Sequence, residues 1–360
     1  MAQNLKNSFE ALVSKPKISL MQWLKHELSF ATTEAVYGPQ NPFRDPAVEA
    51  AFWAYEDNIM MVLANFFPKL TASKAFYGRE VTVKALQEYF SNQGHEQASH
   101  LEKALRAATL KYGLSLEDTA RFELSNLIAI LVNTIPTCFW MVFHIYSDQD
   151  LLADLRTELD AAVLVENDDG GTPKRTLDVN TLKDSCPLLN SVWQETLRYR
   201  ANGSSNREVM QDTLLEDRYL LKKGSVIQMP ALIVHADTNV WGPTACEFDA
   251  RRFMTSGIRG KKDQRKSPSA FRAFGGGTTL CPGRHFARTE LLALVGMLVL
   301  RFELKGSWAS LKLDDRDMAA AIVYPGADTE VEVVERSGFE TGSWTFRTGP
   351  SKRSKAANGV

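Results

Sequence analysis

The sequence predicts a mainly α-helical protein with small β-sheets, and three observations point there. Apolar residues recur at helical spacing over the first two hundred positions, and the first third shows no strand-type alternation. At Arg207 the pattern changes to short β-type runs divided by turns. Further on, three glycines and a lone cysteine lead into one strongly apolar helical run, residues 284–300. The 360 residues are 44% hydrophobic with a formal net charge of −1, which allows one large core or two domains and gives no reason to expect nucleic acid as a partner.

Taken in order, residues 1–17 are polar, with Lys6, Lys15 and Lys17, and lack the apolar core of a signal peptide or anchor. Residues 18–30 have helical spacing, and Pro42 and Pro46 punctuate a loop. Residues 48–66, 81–90 and 97–112 read as further helices, so the first third is expected to be all-α. Ser115 opens the longest helix with a capping-box pattern, Asp118 standing in place of the usual Glu or Gln. The pattern runs to Tyr146, roughly 30 residues or about 45 Å. Residues 124–146 carry no Asp, Glu, Lys or Arg and match a bilayer span in length. Asn126, Asn133, Thr134, Pro136, Thr137 and His144 make the stretch too polar for lipid, so a helix buried through the middle of the protein is expected. Pro136 removes one helical hydrogen bond and predicts a kink there. Helical sequence continues to Leu164, residues 166–175 read as a polar loop, and residues 181–200 as a helix.

Residues 213–215, 219–221 and 225–229 read as short strands, followed by a loop-rich section through Trp241 and Phe253. Residues 258–269 form a basic loop, and residues 322–334 look like strand. Residues 1–341 are thus expected to form one domain. Residues 342–360, with Arg347, Lys352, Arg353 and Lys355, are expected to be a disordered basic tail.

None of the four cysteines, Cys138, Cys186, Cys246 and Cys281, stands at zinc-ligand spacing, and a reducing compartment follows more simply than a disulfide framework. Cys281 differs from the rest. It follows Phe274, Gly275, Gly276 and Gly277 and precedes Pro282, Gly283 and the apolar helix. A thiol just before a helix start faces unpaired backbone N–H groups and the positive end of the dipole, and both favour thiolate. Pro282 suits such a start. The glycines let the backbone approach something flat and large. A soft anionic sulfur under such a loop is what a haem iron takes as a thiolate ligand. For Cys-x-Gly alone, a buried free thiol in a turn is the plainer alternative.

The pattern Phe-x-x-Gly-x-x-x-Cys-x-Gly-x-x-x-Ala, filled by Phe274, Gly277, Cys281, Gly283 and Ala287, resembles the haem-binding loop of the cytochrome P450 family. The order of landmarks from about residue 20 to residue 334 is similar to that family too. Glu195 and Arg198 match its Glu-x-x-Arg pair; on their own they read as a surface ion pair three apart on a helix. Arg252 matches the arginine of its Phe-x-Pro-x-Arg-Phe segment, with Ala250 where proline is usual. The resemblance implies that these three charges form a buried network holding the loop under the haem. It implies that Cys281 is the axial ligand to the iron of haem b, and that Phe274, Gly275, Gly277 and Gly283 shape the cofactor loop. It implies that Arg207 pairs with a haem propionate. Thr279 stands where the family often has Arg or His for that task.

Most members carry an acid and an alcohol on the long helix; here Ile135 and Pro136 take their places. Asn133-x-x-Pro136 followed by Phe139-Trp140 resembles the branch of sterol 7α-hydroxylases, sterol 12α-hydroxylases and prostacyclin synthases. Asn133, Thr134 and Thr137, or a water in the turn opened by Pro136, are then the candidates for proton delivery. The resemblance implies the family's fold without its N-terminal anchor and first helices, so the chain reads as N-terminally truncated. The expected function is a haem-thiolate monooxygenase served by NADPH-cytochrome P450 reductase. It would insert oxygen into a lipophilic sterol, terpenoid or other polycyclic metabolite, as a tailoring step in specialised metabolism. The chain is expected to be a monomer, on the cytoplasmic side of the endoplasmic reticulum membrane if an anchor precedes it. The alternatives are a haem-thiolate isomerase or dehydratase acting on a peroxide, and a truncated pseudoenzyme that binds haem weakly or not at all.

Overall fold

The computed structural model describes residues 2–168, 170–254, 268–309, 311–314 and 320–349. Helices dominate, and the apolar stretch at the centre of the chain is their common axis. Ser115 caps it. Its hydroxyl oxygen accepts from the Asp118 N–H at 3.0 Å and its proton goes to the Asp118 carboxylate at 2.6 Å. The short acid therefore closes the box on the cap's side chain, where a Glu would reach its backbone. The axis is two helices, Leu116–Leu131 and Thr134–Tyr146, divided at Val132 and Asn133. The break lies one turn before Pro136, where a kink is expected. Pro136 has no N–H for the carbonyl four residues back, that of Val132. The Tyr324 hydroxyl donates to this carbonyl at 3.1 Å instead. The second helix packs against Leu20–Tyr37, Gln149–Asp160, Pro187–Arg200 and Arg284–Arg301. The most apolar window of the axis is 72% buried inside the protein, as befits a core helix.

The β-structure departs from the sequence reading in several places. The first third is not all-α: Lys17–Ser19 is a strand, antiparallel to Glu330–Glu335, which pairs in turn with Phe302–Gly306. Before it, Ala2–Val13 is a helix that buries Leu5, Phe9 and Leu12 at helical spacing within a polar segment. Residues 166–175 are not a simple loop. Val163–Asn167 and Pro173–Asp178 form a hairpin, so the preceding helix stops at Asp160. Ser343–Arg347, expected to be disordered, adds to Pro173–Asp178 as a parallel strand. Its anchor is Trp344, buried and stacked on Phe339 with ring centroids 5.8 Å apart. Residues 350–360, with Lys352, Arg353 and Lys355, lie outside the described residues, as does most of the basic loop at 258–269.

The helix expected over residues 181–200 is also two, Val179–Ser185 and Pro187–Arg200, because Pro187 opens a new helix at its first position. The strand expected over residues 322–334 divides into Tyr324–Pro325 and Glu330–Glu335. The short strands near residues 207–230 are present: Ser204–Glu208 pairs with Val226–Pro230, and Thr213–Leu215 with Tyr219–Leu221.

Candidate functional site

The loop before helix Arg284–Arg301 is shaped by its own backbone. Gly275 and Gly277 have φ of +75° and +67°, where any side chain is strained. These turns let the Cys281 N–H donate to the Phe274 carbonyl at 3.0 Å and the Gly275 N–H to the Arg272 carbonyl at 2.9 Å. Pro282 stands just outside the helix, whose cap is Gly283. Cys281 is half-buried and lines a cavity with Phe274, Gly275, Gly283 and Ala287. Ala129, Ile130, Asn133, Thr134 and Thr137 line the same cavity from the broken central helix. The other cysteines differ: Cys246 is exposed, and burial pushes the Cys138 thiol up and that of Cys186 to about 12.

The polar groups of the helix break are largely engaged. The Thr137 hydroxyl donates to the Asn133 carbonyl at 2.6 Å and the Thr134 hydroxyl to the Ile130 carbonyl at 3.2 Å. Asn133 Oδ1 accepts from the Ala321 N–H at 2.7 Å.

Behind the loop lies the three-charge group. Glu195 accepts from Arg198 Nε and Nη2, each at 2.7 Å, and from Arg252 Nε at 3.0 and 3.1 Å. The Asp249 N–H adds a further bond at 2.9 Å. The remaining donors of Arg198 reach the carbonyls of His235, Ala245 and Glu247. Those of Arg252 reach the Trp241, Thr244 and Glu247 carbonyls and the Thr244 hydroxyl. Exposures of 0%, 1% and 8% for Glu195, Arg198 and Arg252 exclude an ordinary surface pair. None of the three lines the cavity, and neither do Gly277 and Arg207. Arg207 is exposed; its Nη2 donates to the Thr279 hydroxyl at 2.7 Å and the Gly276 carbonyl at 3.2 Å, tying strand to loop.

His235 is a linking contact that the sequence reading misses. Its Nε2 accepts from the Arg272 N–H at 2.8 Å, so Nδ1 carries the proton and donates to the Arg198 carbonyl at 2.8 Å. Burial holds this ring well below its ordinary range, at about 4. It thus bridges the charge group to the start of the cysteine loop as a neutral imidazole. A lone histidine in loop-rich sequence carries no signal for this.

The residues present fit a haem. A half-buried sulfur borders a largely apolar cavity, and Gly283 lines that cavity where a side chain would begin 3.7 Å from the Cys281 Sγ. The buried Nε of Arg272, on the same cavity, has no hydrogen-bond partner. Among the described residues no cluster of three or more His, Cys, Asp and Glu suits a bare metal ion.

Comparison with known proteins agrees with this geometry. The sequence profile described as Cytochrome P450 matches residues 2–325. The chain is 39% identical over 356 residues to the cytochrome P450 monooxygenase nodJ of Hypoxylon pulicicidum, covering 96% of this chain and 69% of that one. It is 26% identical over 285 residues to the 25-hydroxycholesterol 7-alpha-hydroxylase of Rattus norvegicus, covering 77% and 68%. The chain thus spans about two thirds of the length of these curated relatives. Its fold matches the retinoic acid-bound cyanobacterial CYP120A1 with a TM-score of 0.73 at 20% identity, over 93% of this chain and 73% of that one. A profile match over nearly the whole sequence thus meets a glycine-turned cysteine, a buried carboxylate between two arginines and a shared fold, and the chain belongs to the cytochrome P450 family.

Proposed function

We propose that the chain is a haem-thiolate monooxygenase of lipophilic polycyclic metabolites, serving a tailoring step in specialised metabolism. The observation that carries this reading is that Cys281 and the polar break of the central helix line one largely apolar cavity. When bound, haem supplies the activation of dioxygen: one oxygen atom enters a substrate C–H bond and the other leaves as water, with two electrons from NADPH through a separate reductase and two protons. The chain's own residues hold and orient. Cys281 would hold the iron, and the Glu195 group keeps the loop rigid from behind. Ile130, Leu291 and Ile322 favour an apolar skeleton and exclude water. The name of the rat relative, a 25-hydroxycholesterol hydroxylase, supports a sterol or another rigid polycycle. Of the two threonines on the cavity, Thr134 is the preferred candidate for proton delivery, because its hydroxyl is held to its carbonyl by the longer and weaker bond.

A second reading, a haem-thiolate isomerase or dehydratase acting on a peroxide, has one observation in its favour. Ile135 and Pro136 supply no acid or alcohol, and the Asn133 carbonyl-type oxygen and both threonine hydroxyls are engaged within the protein. The reduced, carbon monoxide-bound spectrum of the 360-residue protein tests thiolate ligation. Turnover with NADPH and reductase identifies the monooxygenase, and turnover of a hydroperoxide alone identifies the isomerase. Absence of a thiolate-haem spectrum identifies a pseudoenzyme. In the monooxygenase, Thr134→Val lowers the product formed per NADPH consumed while substrate binding is kept.

A further inference from the structure

We infer that Arg272 is the cationic anchor for a carboxylate edge of the bound haem. The inference rests on the haem-binding reading above. Two guanidiniums approach the loop at Gly276, and they are used differently. Arg207 is exposed and donates to the Gly276 and Asn206 carbonyls and to the Thr279 hydroxyl. Arg272 lines the cavity itself. Its Nε is buried without a partner, and its Nη2 meets only the Met229 sulfur, at 4.0 Å. No carboxylate among the described residues pairs with it. A guanidinium offers five donors in a fixed fork suited to a carboxylate, and desolvation without an anion is costly.

The middle glycine of the loop lies against the same guanidinium. Gly276 has φ of −179°, an extended conformation open to any residue, so its backbone does not call for glycine. A Cβ there, however, would stand 2.8 Å from Arg272 Nη1. The absent side chain leaves room for the guanidinium at the cavity edge. The backbone of Arg272 is fixed independently, through its N–H to His235 Nε2 at 2.8 Å and its carbonyl from the Gly275 N–H at 2.9 Å. The side chain can therefore be exchanged while the loop keeps its bonds.

The test is a Soret titration of the apoprotein with haemin and with haemin dimethyl ester, whose carboxylates are masked. Arg272→Met is expected to weaken haemin binding about tenfold or more, and Arg272→Lys to recover part of the loss. The ester should bind parent and Arg272→Met alike. Equal haemin affinity in parent and Arg272→Met overturns the inference, and this is the outcome if Arg272 serves a substrate carboxylate. Equal weakening toward haemin and its ester also overturns it, by showing a structural role only. A parent that takes up no haem overturns the haem-binding reading and the inference with it. A parent that binds haemin and a variant that binds it equally well overturn the inference alone.

Discussion

Glu195 is fully enclosed by donors, so its energetic role shows when one partner is removed. Glu195→Ala leaves two guanidiniums buried without their anion; Arg198→Ala and Arg252→Ala each leave a carboxylate short of donors. Each is expected to cost about 3–5 kcal/mol, read as a large fall in melting temperature and little soluble protein. A melting temperature within a degree of the parent would show that the group contributes little. Cys281→Ser should abolish the thiolate-haem spectrum, while Cys138→Ser and Cys246→Ser keep it. The motivation is that Cys138 and Cys246 lie off the cavity that Cys281 lines, and an unchanged spectrum in Cys281→Ser refutes the ligand assignment. Much of this was legible at the residue scale. Glu195, Arg198, Arg252 and Cys281 sit in spaced motifs that carry side-chain chemistry. The carbonyls of Ala245, Glu247 and Trp241 that complete the arginines were not legible, because a backbone acceptor leaves no mark on residue type. Arg272 and His235 stayed hidden for a related reason: both act through long-range contacts and belong to no spacing.

At the scale of elements, the broken central helix depends on a distant segment. Residues 321–324 are joined to the break by two bonds, Ala321 N–H to Asn133 Oδ1 and Tyr324 hydroxyl to the Val132 carbonyl, and to the helix beyond it by a third, Trp140 Nε1–H to the Val323 carbonyl at 2.7 Å. Tyr324→Phe strips a buried carbonyl of its donor and is expected to cost about 1–3 kcal/mol. Pro136→Ala restores an N–H that can reach the same carbonyl. The Tyr324→Phe cost should therefore shrink in a Pro136→Ala background, as a double-mutant cycle measures. Strict additivity would show that the two groups do not share this acceptor. The proline was readable as a defect, but the position of the break was not. It depends on which atom adopts the freed carbonyl, and that atom is nearly two hundred residues away. The strands at Val163–Asn167 and Ser343–Arg347 were missed for other reasons: the Val-Leu-Val run of the first continues the apolar pattern of the preceding helix, and the alternation of the second, Ser-Trp-Thr-Phe-Arg, is only five residues long and opens a basic segment.

At the scale of the molecule, buried acids make stability depend on pH. Glu102, beneath helices Leu20–Tyr37 and Leu116–Leu131, is raised to about 8 by burial and by the charge of Glu123, with Arg106 opposing. Burial raises Glu123 as well, against hydrogen bonds from Tyr37 at 2.7 Å and Asn126 at 2.9 Å. Glu290, fully buried near Thr32, is raised to about 7. A folded value above the unfolded one means that unfolding releases a proton between the two. This contribution is whole below pH 4.5 and is lost as pH rises through about 8. The buried histidines act oppositely: His235 and His144, lowered to about 4 and about 3, withdraw stability as pH falls below 6.5. In Glu102→Gln the melting temperature should decline less than the parent's between pH 4.5 and about 8. Parallel curves would show that Glu102 does not carry the effect.

The pairing of Lys17–Ser19 with Glu330–Glu332 also sets an order in time. A ribosome adding about 5–20 residues per second needs roughly a quarter of a minute to a minute to travel from one strand to its partner. Throughout that interval the early strand emerges with an open edge, while Leu20–Tyr37 and the helices after it already have local partners. The helical body is thus expected to collapse during translation and the sheet to close only once residues 330–332 have emerged. Nascent chains arrested before residue 330 should keep Lys17–Ser19 accessible to proteases after their helices have become protected.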